Sequence, residues 1–510
     1  MNMVKFLQAG SNSLRFNACK SKTMSKSNFD NRTLAYIFLI AVWVPPLFLH
    51  LDSHALQIYD EARRGVNAME MYLHGFGLVS RYEGQADMWG TKPPLLIWIQ
   101  TGLMHLLGTG VLALRLPSAL AGFFTALCLV LFSKKIIGNY LLGVIASILF
   151  VTSQGVLQPA HSLRTGDFDA LLLFFIFSYV CSYFLFLQSK SKKWLYLSAL
   201  GIFLAVMTKG VAGLLMLPGL ACYTLLSKNG KAVLLSRHFY VSALWCIGGI
   251  ILFYWLREQY NPGYLKAVWE NELGGRFTQT LEGNKGDFGF YWSWLLGSRF
   301  GIYFVLAIVG ILHGAMRLFK KTETEGIGLA IHHYFSINAL LYLLVISCSA
   351  TKLPWYDLPV YPMLAWLAAS GLLRLSRLLP QEKWGLPAGS RTVLVVLFLA
   401  GVYVQALVYC FKPIASKFSG VEAYGYYIPE VAREHQVFNI SALYYRPDAR
   451  FYSMHYNSRG YEVWPIDPNS TLSVGTKVLI CTDYEKQKIA VKHTWAVLDQ
   501  KGDCLLVEIK

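Results

Sequence analysis

The chain has 510 residues, 55% of them hydrophobic and 15% charged, with a mean hydropathy of +0.41. That is too apolar for a soluble enzyme of this length and matches a polytopic membrane protein. The excess of 46 Lys+Arg over 29 Asp+Glu does not point to nucleic acid. The basic residues cluster in short turns between apolar runs, as the positive-inside rule requires, and there they favour anionic lipid head groups.

Residues 1–32 are polar and basic and are expected to stay cytoplasmic. The first apolar run, Leu34 to Leu51, is long enough to span. It reads as an uncleaved anchor, although Ser53-His54-Ala55 faintly resembles a signal-peptidase site. An outward loop, 52–92, follows. Within it Ile58, Ala62, Val66, Met69 and Leu73 recur at helical steps, with Asp60, Arg63, Asn67 and Glu70 on the other face. This pattern predicts an amphipathic helix lying in the membrane interface. Pro93 to Leu107 is apolar but short and reads as interfacial or re-entrant.

Paired apolar runs then lie near 112–133 and 139–157, 167–187 and 194–208, 211–227 and 239–256, 295–318 and 333–350, and 357–375 and 391–411. Lys134-Lys135, Lys190 to Lys193, Lys228 to Arg237, Arg317 to Lys321 and Arg374 to Arg377 mark the cytoplasmic turns. With the first span these make about eleven crossings, or thirteen if the stretch after Pro93 adds a pair. The expected fold is an all-α polytopic membrane protein. Residues 33–411 form the transmembrane part, and 412–510 form a small α/β domain on the extracytoplasmic side. Val421 to Val437 is helix-compatible there, and Lys477–Cys481 and Cys504–Ile509 have the β-branched, apolar character of buried strands. Six of the nine cysteines fall within apolar runs and read as small hydrophobes. Cys481 and Cys504 fall in the C-terminal region and can pair if it is extracytoplasmic.

The orientation gathers Asp60, Glu61, Arg63, Lys92, Arg164, Asp167, Lys209, Arg276 and Lys352 on one face of the membrane. Charges kept where water is scarce are costly, so a cluster of them marks a site. Asp60-Glu61 opens the amphipathic helix one turn ahead of Arg63-Arg64, which would keep a carboxylate ionised. It can orient or deprotonate an incoming hydroxyl, or serve only as a helix N-terminal acid. Lys92 is held at a defined depth by Pro93-Pro94. Lys209 and Lys352 sit in short outward turns, against the positive-inside rule. Together the three lysines call for an anionic ligand, and a membrane-embedded phosphate fits. Arg276 suits bidentate phosphate binding. Asp167 can cap the helix that follows it. His161 with a carboxylate could hold a divalent ion, but Cys/His metal spacing is absent and no metal ligands are assigned. A divalent cofactor stays open.

Four patches carry a resemblance: Tyr59-Asp60-Glu61-Ala62-Arg63; Thr91-Lys92-Pro93-Pro94-Leu95-Leu96 with Arg115-Leu116-Pro117-Ser118-Ala119-Leu120; Thr208-Lys209-Gly210; and Lys352-Leu353-Pro354-Trp355-Tyr356 with Leu358-Pro359-Val360-Tyr361-Pro362. Over roughly residues 55–365 the chain resembles the bacterial membrane glycosyltransferases of the C-type superfamily that use polyprenyl-phosphate-linked sugars. These are relatives of protein O-mannosyltransferases and of the aminoarabinose transferases of lipid A. The resemblance implies a multi-pass protein of the inner membrane with an extracytoplasmic catalytic cavity. It implies a lipid-linked sugar donor and a lipid, glycan or protein acceptor. Asp60 matches the aspartate needed for transfer, and Lys92, Lys209 and Arg276 match the cations that hold the donor phosphate, with Arg63 in support. Tyr356 matches an aromatic position beside that phosphate, and Asp167 a second loop acid. The chain departs from the aminoarabinose branch at Thr91, where that branch has a glutamate able to join a metal site. The resemblance therefore implies neither metal dependence nor aminoarabinose as the sugar.

The alternative class is a lipid-phosphate flippase or transporter that binds a head group without chemistry. Transporters place charges or broken helices near the midplane. Here the charges lie at the outer ends of spans, which favours an interfacial enzyme.

Overall fold

A computed structural model describes residues 26–319, 326–378, 389–412, 417–443 and 445–510. The basic tail expected over 1–32 lies outside the described residues as far as residue 25.

Helix α1 (Lys26–Phe48) leads to α2 (Asp60–His74), a two-residue hairpin of β1 (Arg81–Tyr82) and β2 (Gln85–Ala86), and α3 (Leu95–Leu107). Then come α4 (Val111–Ile137), α5 (Tyr140–Thr152), α6 (Phe168–Ser189), α7 (Lys192–Lys209), α8 (Leu217–Leu226) and α9 (Arg237–Tyr260). The membrane part closes with α10 (Ile302–Phe319), α11 (Ile327–Ser347), α12 (Tyr361–Leu378) and α13 (Ser390–Phe411). Among the described residues seven helices are long and apolar enough to cross a bilayer, and α10 together with the segment Phe290–Arg299, bent from it by 119°, makes an eighth if the two form one span. Four shorter apolar helices, within α1 and at α3, α5 and α8, bring the segments to twelve. Each apolar run read from the sequence carries a helix, because uninterrupted Leu, Ile, Val and Phe leave intrahelical bonding as the only way to satisfy the backbone in lipid. The protein is a multi-pass membrane protein.

From α14 (Tyr424–Glu434) onward a five-stranded sheet forms from β3 (Val437–Ser441), β4 (Glu462–Ile466), β5 (Lys477–Ile480), β6 (Trp495–Lys501) and β7 (Cys504–Ile509). Its order is β4-β3-β5-β7-β6, with β3 parallel to β4 and β5, and β7 antiparallel to β5 and β6. Helices α15 (Pro447–Asn457) and α16 (Asp483–Ala490) pack on it. Val478, Leu479, Ile480 and Val507 are fully buried at its centre, as apolar strands covered on both faces must be. Cys481 and Cys504, opposite each other at the ends of β5 and β7, form a disulfide.

The C-terminal sheet domain does not stand apart from the membrane part. Ala62, Val66, Ala68, Met69 and Met71 of α2 share one buried core with Tyr424, Tyr427, Ile428, Phe451 and Tyr452. This corrects the expectation of a helix lying in the lipid interface. Asn67 and Glu70, assigned to a solvated face, are buried along with Arg64. Helix α15 covers the face that lipid or water was expected to take. Gly65 permits the close approach: a Cβ there would meet the Phe451 ring at 2.8 Å.

Candidate active site

Helix α2 begins at Asp60, so its first carboxylate projects from the helix end over a cavity of about 550 Å³. Asp60, Arg63, Lys92, Asp167, Lys209, Arg276 and Tyr356 all line this one cavity, although they are spread over almost 300 residues of chain. Helix ends and short loops bring them there, while the helices beneath supply rigidity.

On one wall Asp60 is about half-exposed. Its Oδ1 lies 3.5 Å from Nη2 of Arg64, one turn on, and its Oδ2 lies 3.3 Å from Nε2 of His161. Burial alone would raise its pKa, but the His161 hydrogen bond and the charges of Arg64, His161 and Lys92 outweigh it. They hold the carboxyl well below the usual range. His161 is itself buried, its ring parallel to Trp355 at 3.7 Å. Nδ1 lies 2.9 Å from Oδ2 of Asp169 and 3.9 Å from Oδ2 of Asp167. Burial opposes the charged ring, yet Asp167 and the bonds to Asp169 and Asp60 push its pKa up to about 10. Asp167 moves the other way. Burial, with Glu61, Asp60 and Asp169 nearby, raises it to about 6 despite His161.

The opposite wall is cationic. Lys92 Nζ lies 2.5 Å from Oε1 of Glu272, which also accepts from Thr91 Oγ1 at 2.8 Å. Burial lowers the pKa of Lys92, with Glu272 resisting. Lys209, at the end of α7, pairs with Asp169 at 2.5 Å and lies 5.3 Å from the Tyr356 ring centre. Gly210, at φ +59, lets the chain reverse immediately after it. Arg276 donates from Nη1 to the Tyr356 hydroxyl at 3.1 Å. The Arg276 loop is stitched to the segment before Tyr356 by backbone bonds, Thr351 N to Arg276 O and Ala350 N to Phe277 O, both 3.0 Å.

Four expectations change. Glu61, read with Asp60 as catalytic, does not line the cavity. It is fully buried and accepts from Arg115 Nε at 2.6 Å and Nη2 at 2.8 Å, Gly166 N at 2.7 Å and Gln57 N at 2.9 Å. Lys352, read as a phosphate ligand, turns away from the cavity and donates to the carbonyls of Ser347 (2.7 Å) and Ser349 (2.5 Å), where α11 ends. A cation suits a helix C-terminus. Arg63 lines the cavity but is engaged by Asp87 at 2.6 Å and by the Tyr445 hydroxyl at 2.6 Å. Its bond to Asp87 holds that acid at about 2 against the effect of burial. Asp167 occupies the residue before α6, yet its side chain makes no cap bond, and its Oδ2 is buried without a hydrogen-bond partner.

Arg64, Glu272, Trp355 and Tyr445 also line the cavity, and of these only Tyr445 was not singled out from the sequence. Trp355 adjoins Tyr356 in one motif, and Glu272 shares the outward loop of Arg276; its pairing with Lys92, 180 residues away, has no local signal.

Among the described residues no group of three or more His, Cys, Asp or Glu side chains is arranged to hold a metal ion. Glu272 is taken up by Thr91 and Lys92, and Asp169 by His161 and Lys209. This donor set does not fit a divalent cation.

Residues 91–255 match the family described as dolichyl-phosphate-mannose-protein mannosyltransferase. The undecaprenyl phosphate-alpha-4-amino-4-deoxy-L-arabinose arabinosyl transferase of Edwardsiella ictaluri (strain 93-146) is 25% identical over 365 residues, covering 68% of this chain and 59% of that protein. An uncharacterized protein of Aquifex aeolicus (strain VF5) is 25% identical over 203 residues, 39% of this chain and 40% of that one. The matches thus span less than two thirds of either relative's length. ArnT from Cupriavidus metallidurans, solved bound to undecaprenyl phosphate, superposes with a TM-score of 0.65 at 17% identity, covering 93% of this chain and 98% of that chain. The oligosaccharyltransferase of Archaeoglobus fulgidus in its apo form gives 0.54 at 13% identity, covering 87% and 65%. The fold is that of ArnT and of the archaeal oligosaccharyltransferase, and the sequence is similar to the arabinosyl transferase and, over residues 91–255, to the mannosyltransferase family.

Proposed function

We propose that this protein transfers a glycosyl unit from a polyprenyl-phosphate-linked donor to a nucleophile on a lipid, glycan or protein at the extracytoplasmic face. One observation carries the reading. A single cavity sets an ionised carboxylate, Asp60, across from three cations, Lys92, Lys209 and Arg276. An ammonium has three donors, so Lys92 and Lys209 keep donors for a phosphate while remaining bonded to Glu272 and Asp169.

The acceptor oxygen bonds to the anomeric carbon as the bond from that carbon to phosphate breaks. The electron pair leaves on the polyprenyl phosphate, and the acceptor proton passes to Asp60. Charge grows on the phosphate oxygens in the transition state, where fixed cations in a partly dehydrated cavity act most strongly. Asp60 aligns the nucleophile and accepts its proton. A phosphate acceptor would carry no proton to lose, and Asp60 would then only orient it.

Two features support an extracytoplasmic cavity. The Cys481–Cys504 disulfide belongs to the domain that shares a core with α2, and disulfides persist in oxidising compartments. The basic turn at Lys134-Lys135 lies twenty residues along α4 from Arg115, which binds Glu61. That is about 30 Å of helix, a bilayer's hydrocarbon thickness.

The test is reconstitution of the full chain in proteoliposomes with a polyprenyl-phosphate-linked sugar and an envelope extract. Mass spectrometry would follow the extract and the lipid. Glycosylated product and free polyprenyl phosphate should appear together, and Asp60→Asn should abolish both. Full turnover by that variant, or no donor consumption by the natural chain across donors of several sugars, would overturn the proposal.

A further inference from the structure

His161 has three properties that its burial alone does not require. Its backbone sits at φ +50, a left-handed conformation that side-chain-bearing residues rarely adopt and that clusters at functional sites. Its ring lies flat on Trp355 at 3.7 Å, fixing the plane of both nitrogens. Those nitrogens meet carboxylates from two different elements: Nε2 faces Asp60 Oδ2 at 3.3 Å, and Nδ1 faces Asp169 Oδ2 at 2.9 Å. A neutral imidazole has one N–H, so two carboxylate partners call for the doubly protonated ring. The chain of contacts continues from Asp169 Oδ1 to Lys209 Nζ at 2.5 Å. A continuous line, Asp60–His161–Asp169–Lys209, thus joins the two walls of the cavity.

We propose that His161 is a positioning residue for the transfer: as an imidazolium clamped between Asp60 and Asp169, it holds Asp60 ionised and aimed at the acceptor, and couples it to the Lys209 ammonium on the donor wall. This rests on the reading of Asp60 and Lys209 given above. With Oδ2 held by His161, Asp60 keeps Oδ1 beside Arg64 for the acceptor. The stacked indole supports a cation above its face. The charges facing Asp60 are Arg64 on its own helix, Lys92 on the following loop and His161. Those facing His161 are Asp60 from α2 and Asp167 and Asp169 from the start of α6.

The measurement is kcat and KM for the donor between pH 3 and 10.5, using the full chain in proteoliposomes, so that the acid end reaches the carboxylate range Asp60 enters once the imidazolium is gone and the alkaline end passes the His161 value of about 10. His161→Gln should leave donor KM within about threefold and lower kcat by about 10²-fold, as expected when a reacting group is misaligned. Its acid limb should also move to higher pH, because Asp60 loses both a charge and a hydrogen bond that keep it deprotonated. A loss of equal size at every pH, with the limb unmoved, would show a merely structural histidine and overturn the proposal. Asp169→Asn gives a second reading should His161→Gln fold poorly. Without the Asp169 charge the imidazolium gives up its proton more easily, so the alkaline limb should move to lower pH, and an unmoved limb counts against the clamp. An inactive Asp60→Asn beside a His161→Gln profile parallel to the natural one sinks only this inference. A fully active Asp60→Asn sinks the transfer reading beneath it.

Discussion

Asp60 and Glu61 are sequence neighbours on the first turn of one helix, yet their carboxylates live in opposite surroundings. Glu61 is sealed in and saturated by four donors, and its partner Arg115 spends its other N–H groups on the carbonyls of Leu51, His54 and Ala55. Asp60 is half-exposed, with two longer contacts at 3.3 and 3.5 Å, and it faces a cavity. A charge whose bonding capacity is complete has nothing left for a substrate, whereas one left short of partners beside open space does. The same division sorts the cations. Arg164 is used up on the carbonyls of Pro46, Leu49 and His50 where α1 ends, and Lys352 on those where α11 ends. Lys92, Lys209 and Arg276 instead bond to side chains that line the cavity with them.

Replacing the two acids one at a time should separate them most widely. Asp60→Asn is expected to lower kcat by about 10² to 10⁴-fold, the range for losing a general base, while thermal unfolding barely moves. Glu61→Gln should do the reverse. It leaves Arg115 charged, buried and short of its counterion, at a cost of about 3–5 kcal/mol in stability. The molecules that do fold should turn over at nearly the natural rate. Measuring specific activity per folded molecule decides the matter, and a stable but inactive Glu61→Gln would erase the distinction.

The lysines offer the next test. Lys209→Ala should raise donor KM and lower kcat, together about 10² to 10³-fold in kcat/KM, because it removes charge where the leaving phosphate forms. Lys352→Ala should leave donor KM alone and cost up to about 2 kcal/mol of stability, the scale of a favourably placed charge at a helix C-terminus. Equal effects of the two on donor KM would return Lys352 to the phosphate site.

Much of this architecture was legible before the structure, and the part that was not has a physical reason. Apolar runs bounded by Lys and Arg translate directly into spans, because the bilayer admits one backbone solution. Val111–Ile137 and Phe168–Ser189 therefore lie where the runs 112–133 and 167–187 put them. The cavity charges could be gathered onto one face by the same logic. Nothing local, however, says which of two adjacent acids turns inward, since Arg115 arrives from another helix 54 residues on. Helical periodicity marked α2 as amphipathic but could not show that α15 would cover it, because that contact closes across almost 400 residues. Lys352 looked like a ligand because its violation of the positive-inside rule was visible, while the carbonyls that satisfy it were not.

Asp167 tests the division by pH. Its folded pKa of about 6 stands above its ordinary 3.8, so the native state binds its proton more tightly than the unfolded chain does. The stability this adds is complete below about pH 4 and is lost as pH rises through about 6, amounting to at most about 3 kcal/mol. Asp167→Asn removes that dependence. Relative to the natural chain, the variant should gain in melting temperature between pH 4.5 and pH 7.5. A constant difference across that window would mean that the unpartnered Oδ2 finds a proton donor in the folded state.

The smallest expected effect concerns Tyr445, which the C-terminal domain contributes to the cavity. Its hydroxyl bonds Arg63 at 2.6 Å, and its ring lies parallel to that of Tyr59, with centres 6.5 Å apart. Arg63 has its charge balanced by Asp87, so Tyr445 lies outside the set of cations assigned to the phosphate. Its place is on the Asp60 side, with exposed aromatic surface where an acceptor would enter. Tyr445→Ala should therefore raise KM for the acceptor by about three- to tenfold, the scale of one aromatic contact, with donor KM unchanged. Tyr445→Phe, which keeps the ring and loses only the bond to Arg63, should recover most of that loss. A change in donor KM instead would put the C-terminal domain on the phosphate side of the cavity, and Arg63 with it.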